Sequence, residues 1–237
     1  MIKLGVSGVC GRMGRRILEL ACCDRDLEIM LALERKGIPQ IGKELGKIKI
    51  SSNPDGMFLI DVFIDFSAPE ASIANLEYAV KYNKALVLGT TGLTEEQVAA
   101  VRRVSDSVPV VYSPNMSVGV NVLFSALSDI TRKLGRDYKI EIVEAHHDGK
   151  KDAPSGTAKK MQEVIAAAGS PNPPVHSIRL GDIVGDHTVI FCGNSERIEI
   201  KHQAHTRDLF ALGALKAAKW VAGQKPGLYS MKDVLGL

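Results

Sequence analysis

Aromatic residues are scarce in this chain, at 5% of 237, so its core has to be built mainly from aliphatic side chains. Cysteine is scarce as well. Cys10, Cys22, Cys23 and Cys192 show neither metal-ligand spacing nor a disulfide framework, which argues against a zinc module and a stapled secreted scaffold. Cys22 and Cys23 fall within the first helical pattern and are expected as buried free thiols. No apolar run approaches the ~18 residues of a membrane span. The first residues, Met1-Ile2-Lys3-Leu4-Gly5-Val6, enter a strand directly rather than a signal peptide. Net charge is only +3 with 24% charged residues, and composition makes no case for nucleic acid. Internal repeats and low-complexity stretches are missing too. What remains is a cytoplasmic globular protein, 45% hydrophobic and long enough for one large domain or two modest ones.

What is present alternates. Apolar β runs at 2–7, 27–33, 62–66, 85–88 and 108–112 are separated by helical patterns, with a further short run at 47–51. Pro69 suits a helix start, and Thr94-Glu95-Glu96-Gln97 reads as a capping box. Strands alternating with helices argue for a right-handed parallel sheet over residues 1–117. From Val118 the pattern changes. A long apolar helix to about Lys133 leads into the run Lys139–Val143, and a helix near 157–168 follows. Three consecutive β runs then come at 175–180, 185–192 and 196–203, the mark of an antiparallel or mixed sheet in an α+β domain. Arg207-Asp208 marks the expected return to the first domain, with a helix over 209–221 and a short tail from Leu228. The expected domains are therefore 1–117, completed by 207–237, and 118–206.

Gly8-Val9-Cys10-Gly11-Arg12-Met13-Gly14 lies between a strand and a helix, where glycines permit a sharp turn, approach of backbone to a pyrophosphate and close helix packing. The helix N-terminus then faces the phosphates. Glu34 stands 20 residues past Gly14 at a strand end, placed to accept hydrogen bonds from a ribose diol. Arg35 and Lys36 beside it suit a 2′-phosphate, so either NADH or NADPH is expected. Gly89-Thr90-Thr91-Gly92 and Ser113-Pro114-Asn115-Met116 close later strands at their carboxyl ends, where ligands sit in open parallel sheets.

A second cluster is the stretch Glu144-Ala145-His146-His147-Asp148-Gly149-Lys150-Lys151-Asp152-Ala153-Pro154-Ser155-Gly156-Thr157-Ala158. It joins a strand end to a helix start. Imidazole moves protons near neutral pH, an ammonium holds an anion, and helix-start amides add a second anion site. Adjacent histidines on a strand point to opposite faces, and no cysteine or acidic cluster is near, so no metal is expected. His176, His187, His202 and His205 are read as structural or surface residues, with His202 or His205 a minor candidate for lining a cleft.

These residues, with Asn115-Met116-Ser117-Val118-Gly119-Val120-Asn121 and the tail Met231-Lys232-Asp233-Val234-Leu235, resemble the 4-hydroxy-tetrahydrodipicolinate reductase (dihydrodipicolinate reductase) family. The E-A-H-H…K-x-D-A-P-S-G-T-A block carries most of the likeness. The resemblance implies an N-terminal Rossmann, doubly wound parallel sheet and a substrate-binding α+β domain with an open mixed sheet. It implies reduction of a cyclic imine dicarboxylate by NAD(P)H in diaminopimelate and lysine synthesis, in the cleft between the domains. It further implies proton transfer at His146 and Lys150, substrate binding at His147, Ser155, Gly156 and Thr157, and assembly as a homotetramer through the second sheet. Cofactor contacts implied in the same way are Gly8, Val9, Cys10, Gly11, Arg12, Met13, Glu34, Arg35, Gly89, Thr90, Thr91, Ser113, Pro114, Asn115 and Met116. The family's loop is commonly more basic than Asp148-Gly149, and Lys151 stands nearby. An aspartate or homoserine dehydrogenase would not be expected to carry the histidine–lysine block, and a sensor of NAD(P)H would bind cofactor without turnover.

Overall fold

The computed structural model describes residues 1–237. In chain order it contains β1 (Ile2–Ser7), α1 (Arg12–Ala21), β2 (Leu27–Leu33), β3 (Glu44–Leu45), β4 (Ile48–Ser51), β5 (Val62–Asp65), α2 (Pro69–Lys81), β6 (Ala85–Leu88), α3 (Glu95–Ser105), β7 (Pro109–Tyr112), α4 (Val118–Leu134), β8 (Lys139–His146), α5 (Gly156–Ala167), β9 (Val175–Arg179), β10 (Gly185–Cys192), β11 (Arg197–Ala204), α6 (Asp208–Val221), β12 (Gly227–Tyr229) and α7 (Met231–Leu235). They form two compact units. One comprises residues 1–117 with 208–236, the other 118–207.

The first unit holds an eight-stranded sheet in the order β12-β7-β6-β5-β1-β2-β4-β3. Every pairing is parallel except β3 with β4. The chain steps from β1 to β2 and then returns past β1 to β5, so the order reverses between β1 and β5. Ligands in doubly wound sheets bind at such a reversal, outside the carboxyl ends of the strands. Strands buried on both faces read as continuous apolar runs, and Val62, Phe63 and Ile64 of β5 are all fully buried. On one face Leu76 and Ala79 of α2 and Val101 of α3 pack on Leu86, Leu88 and Val110. On the other α1 meets α6, and the α6 face of Ala211, Gly213, Ala214, Ala217 and Ala218 is fully buried or nearly so. Small residues are required there: a Cβ on Gly213 would lie 1.8 Å from the Met116 carbonyl oxygen. Arg16 clasps Asp208 with two hydrogen bonds of 2.5 and 2.7 Å, fixing the start of α6 against α1.

Local signals behave as their chemistry requires. Pro69 occupies the first turn of α2, and Thr94 with Gln97 forms the full capping box of α3. Two expectations need correction. Cys22 and Cys23 are exposed, because α1 ends at Ala21 and the pair lies beyond its buried face. The tail beyond Leu228 is ordered structure. β12 adds a parallel strand to the β7 edge, and α7 buries Met231 and Val234 under a Ser230 capping box.

The second unit holds a four-stranded mixed sheet, β11-β10-β8-β9. β10 runs antiparallel to β8 and β11, while β8 and β9 are parallel. One face of this sheet is buried under α4 and α5, with Ile140, Ile142, Val189 and Phe191 packed on Leu127, Met161 and Ile165. Each such side chain removed from water stabilises the unit by roughly 1.5–3 kcal/mol. Farther along the strands the same face turns polar, and that change defines a site.

Candidate active site

The inward positions of β8 run Ile140, Ile142, Glu144, His146, apolar first and titratable last. Register brings matching polar residues alongside. Glu144 lies opposite His187 of β10 and Ser177 of β9, and His146 lies opposite Arg179. Glu144 is fully buried and Arg179 grips it with two parallel hydrogen bonds, Nη1 to Oε2 at 3.0 Å and Nη2 to Oε1 at 2.9 Å. Such a fork is the strong form of a charged hydrogen bond. The Ser155 amide donates to Oε1 at 3.3 Å, and His146 Nδ1 bonds Oε2. Burial alone would raise the Glu144 carboxyl, but hydrogen bonds from Arg179, Ser177 and His146 outweigh it and hold it down at about 2. Glu144 is therefore a carboxylate, and the imidazole nitrogen facing it carries a proton. The exchangeable position of His146 is then Nε2. It lies beside the Gly185 Cα, where an added Cβ would be 3.1 Å from it. Desolvation lowers the His146 pKa below its ordinary value and Lys150 and Arg179 add to this, while Glu144 opposes them.

Arg179 also donates to the carbonyl oxygens of Lys150 and Asp152, tying β9 to the loop that carries the lysine. Lys150 Nζ pairs with Asp152 at 2.8 Å, and its side chain is 23% exposed, enough to be reached from solvent. His147 is half-buried just past the strand end. Ser155 is the N-cap of α5, its hydroxyl accepting from the Ala158 amide at 3.2 Å. A Cβ on Gly156 would meet no atom within 4 Å, so the space over the helix start is open. The second unit thus gathers His146, His147, Lys150, Ser155, Gly156 and Thr157 on one strand end and one helix start.

Three participants escaped the sequence reading. Arg179 carries no motif signal, Glu144 has no role legible from its position in the motif, and His187 is expected as a structural or surface residue. His187 is 4% exposed, its ring centroid is 5.2 Å from that of His146, and Nε2 is 3.0 Å from the Ser155 hydroxyl. A signal existed: all three are polar residues at the inward phase of alternating strands. His202 faces His187 across β11, half-buried, while His205 is exposed beyond the strand.

Burial presses His187 down to about 4, with the neighbouring His146 adding to the effect. A histidine depressed in the fold stabilises above its ordinary value and loses that contribution as pH falls. The window here is about 6.5 to 4 and the loss roughly 3 kcal/mol, with Glu144 following below about 4.5. The melting temperature should therefore fall as pH is lowered through that window. His187→Gln should flatten the upper part of the curve. An unchanged slope in the variant would show that other groups carry it.

In the first unit, a cavity of about 440 Å³ opens at the carboxyl ends of β1, β5, β6 and β7. Gly11, Arg12, Met13, Gly89, Thr90, Thr91, Pro114 and Met116 line it, together with Phe66, Ser67 and Phe210, which the sequence reading did not pick out. Gly8 has φ +77°, and a Cβ there would lie 2.5 Å from the Phe66 carbonyl oxygen. A Cβ on Gly14 would lie 2.2 Å from the Gly8 carbonyl oxygen, so the loop closes on itself only with glycine. No side chain caps the start of α1 and its first turn has no acid, which suits a phosphate. Glu34 stands beside this loop, accepting from the Cys10 amide at 3.0 Å and the Arg35 amide at 2.9 Å. Each carboxylate oxygen keeps a lone pair for a sugar hydroxyl. Burial, then Glu34, pushes the Cys10 thiol up, so it stays protonated. Val9 is fully buried, and Ser113 donates to the Asn115 carbonyl to shape its turn. Behind the cavity, Asp65 accepts from Ser67 and Asn75, and Thr90 also bonds it. The cradle and its charge fit a dinucleotide.

Comparison with known proteins supplies the family. The family model described as dihydrodipicolinate reductase, N-terminus, matches residues 2–116, and that of the C-terminus matches residues 119–235. The 4-hydroxy-tetrahydrodipicolinate reductases of Citrifermentans bemidjiense and Geobacter sulfurreducens are 45% and 43% identical, over 100% of both chains in each case. A dipicolinate-bound dihydrodipicolinate reductase from Paenisporosarcina sp. TG-14 matches with a TM-score of 0.85 and 24% identity, covering 98% of this chain and 99% of that one. That last likeness speaks for the fold. On these grounds the chain belongs to the dihydrodipicolinate reductase family.

Proposed function

We propose that this chain reduces 4-hydroxy-tetrahydrodipicolinate, or the dihydrodipicolinate formed from it, to tetrahydrodipicolinate in diaminopimelate and lysine synthesis. The observation that carries the chemistry is the Glu144–His146 pair beside the start of α5. Reduced nicotinamide, when bound, supplies hydride to a conjugated imine. Electron density then left on the substrate needs a proton, a step in which a positioned acid typically contributes about 10²–10⁴-fold. Glu144 holds His146 by Nδ1 and leaves Nε2 to exchange that proton. Lys150, kept near by the Arg179 bonds to its loop, serves proton transfer beside it as a cation. The two carboxylates of a cyclic dicarboxylate need separate donors. Ser155, Gly156 and Thr157 at the helix start serve one, and His147 with Lys150 the other.

In the first unit Gly8, Val9, Cys10, Gly11, Arg12 and Met13 hold the pyrophosphate, and Glu34 takes the ribose diol of NADH. Arg35 and Lys36 meet the 2′-phosphate of NADPH. Gly89, Thr90, Thr91, Ser113, Pro114, Asn115 and Met116 surround the nicotinamide end. Domain roles follow from this division: dinucleotide binding in 1–117 with 207–237, substrate binding and self-association in 118–206.

No helix is long and apolar enough to cross a membrane, and a biosynthetic reductase drawing on NAD(P)H belongs in the cytoplasm. The outer face and edge of the four-stranded sheet expose Ile178 and Leu180, which supports a homotetramer built through that sheet. A monomer mass in sedimentation would remove that assignment.

The decisive assay follows loss of reduced-nicotinamide absorbance when the dihydrodipicolinate precursor is added. Turnover is expected with both cofactors, and Glu34→Ala should weaken NADH by roughly ten-fold and NADPH less, the loss of one hydrogen bond to a charged group. Absence of substrate-dependent oxidation would reduce the protein to a dinucleotide binder, and equal losses for both cofactors would remove the ribose role of Glu34.

A further inference from the structure

His187 makes one hydrogen bond, and the partner at the other end decides what that bond is for. Its Nε2 lies 3.0 Å from the Ser155 hydroxyl oxygen, and its Nδ1 is buried with no partner. The ring is 4% exposed, wedged between β8 and β11 with His146 edge-on at 5.2 Å. It remains neutral across the working range, since burial holds it near 4. A neutral imidazole carries one proton, on one nitrogen or the other.

The two tautomers leave different groups stranded. With the proton on Nδ1, a buried N–H has no acceptor, and the Ser155 hydroxyl spends its hydrogen on Nε2. Orphaned buried N–H groups are the rarer and costlier defect. With the proton on Nε2, the imidazole donates to Ser155, a lone pair at Nδ1 is stranded, and the Ser155 hydrogen is left for a ligand to accept, as the buried Nδ1 hydrogen of the other tautomer cannot be. The Ser155 oxygen then accepts twice, from His187 and from the Ala158 amide at 3.2 Å. Both its lone pairs are taken, so the hydroxyl can act only as a donor. In this scheme its hydrogen is kept for an acceptor at the start of α5, beside Gly156, where a Cβ would meet no atom within 4 Å.

We propose that His187 is a positioning residue: it donates from Nε2 to Ser155 and thereby fixes that hydroxyl as a donor to a substrate carboxylate. This rests on the assignment of Ser155 to substrate binding. His187 touches no substrate in this scheme and works only through the serine. A hydroxyl preset as donor rejects cations and favours anions before any ligand arrives, which lowers KM more than it raises kcat.

The test is binding of dipicolinate, a stable planar cyclic dicarboxylate, measured by calorimetry on the full chain with NADPH present, together with steady-state KM and kcat. Ser155→Ala should weaken dipicolinate by roughly 10- to 100-fold, the loss of a hydrogen bond to a charged group. His187→Asn and His187→Leu should do the same, while His187→Gln, whose amide nitrogen can stand where Nε2 stands, should bind within about three-fold of wild type. The double variant Ser155→Ala/His187→Leu should be no weaker than Ser155→Ala alone, because the two act as a unit. KM should move with these losses and kcat should change little. Wild-type binding in His187→Asn or His187→Leu, or additive losses in the double variant, would overturn the positioning role. Unchanged binding in Ser155→Ala would instead sink the serine's place in the substrate site. Should the leucine variant fail to fold, nitrogen NMR of the wild-type ring decides the matter: a proton on Nε2 supports the proposal and a proton on Nδ1 overturns it.

Discussion

Replacing His146 by glutamine is expected to lower kcat by roughly 10²–10⁴-fold, the usual worth of a positioned general acid. Glutamine keeps size and polarity and can still meet Glu144, but it has no second nitrogen to lose and regain a proton. The surroundings argue for a large effect. Glu144 is fully buried, held by both arms of Arg179 and by the Ser155 amide, so the imidazole is anchored at Nδ1 and cannot turn to present another atom. NADPH affinity should be unchanged, since no residue of the first-unit cavity is altered. The pH profile supplies an independent readout. Because desolvation holds the His146 pKa below 6.5, kcat/KM should decline with rising pH on a limb below that value, and the limb should vanish in the variant. Lys150→Ala should also impair turnover while keeping the His146 limb. Full activity in both variants would sink the assignment of the proton-transfer pair.

Gly14→Ala should abolish useful cofactor binding, weakening NADPH by roughly 100-fold or more, equivalent to about 2.7 kcal/mol. The reason is steric. The added methyl would sit 2.2 Å from the Gly8 carbonyl oxygen and 2.6 Å from its carbon, both rigid backbone atoms. Gly8 has little room to retreat, because at positive φ it lies so close to Phe66 that a Cβ on it would meet the Phe66 carbonyl oxygen at 2.5 Å. The loop must open, and overpacking of this kind typically costs 1–3 kcal/mol. A fluorescence titration with NADPH and a thermal melt measure the two consequences. Gly156→Ala is the control, since a methyl there meets nothing and should leave the melt unchanged. Wild-type NADPH affinity in Gly14→Ala would mean the dinucleotide does not use this loop.

Much of this molecule could be read from the chain alone, and the reason is locality. The capping box of α3, the proline at the start of α2 and the glycine loop before α1 are short-range devices whose chemistry is complete within a few residues. Alternation of apolar runs with helical patterns implied the parallel sheet, and consecutive β runs implied the mixed one. The cavity residues Gly11, Thr90 and Met116 were visible because each lies in the loop that follows a strand, and strand ends are where such sheets bind ligands. Locality also explains the misses. Cys22 and Cys23 turned on where one helix stops, a boundary set by packing. The C-terminal tail is short, and its first residues become β12 only because β7 offers an open edge.

By itself the sequence determined which residues can move a proton or hold an anion: His146, His147, Lys150 and the Ser155–Thr157 helix start lie within twelve consecutive positions. Only the tertiary structure decided what makes them a site. Arg179 and His187 come from β9 and β10, 33 and 41 residues beyond His146, and reach Glu144, His146 and Ser155 through strand register. No local pattern encodes that register, because pairing between strands is settled by the burial of the whole apolar face beneath α4 and α5. The same register puts a carboxylate behind His146 and an imidazole behind Ser155, turning a basic loop into groups with fixed donors and acceptors.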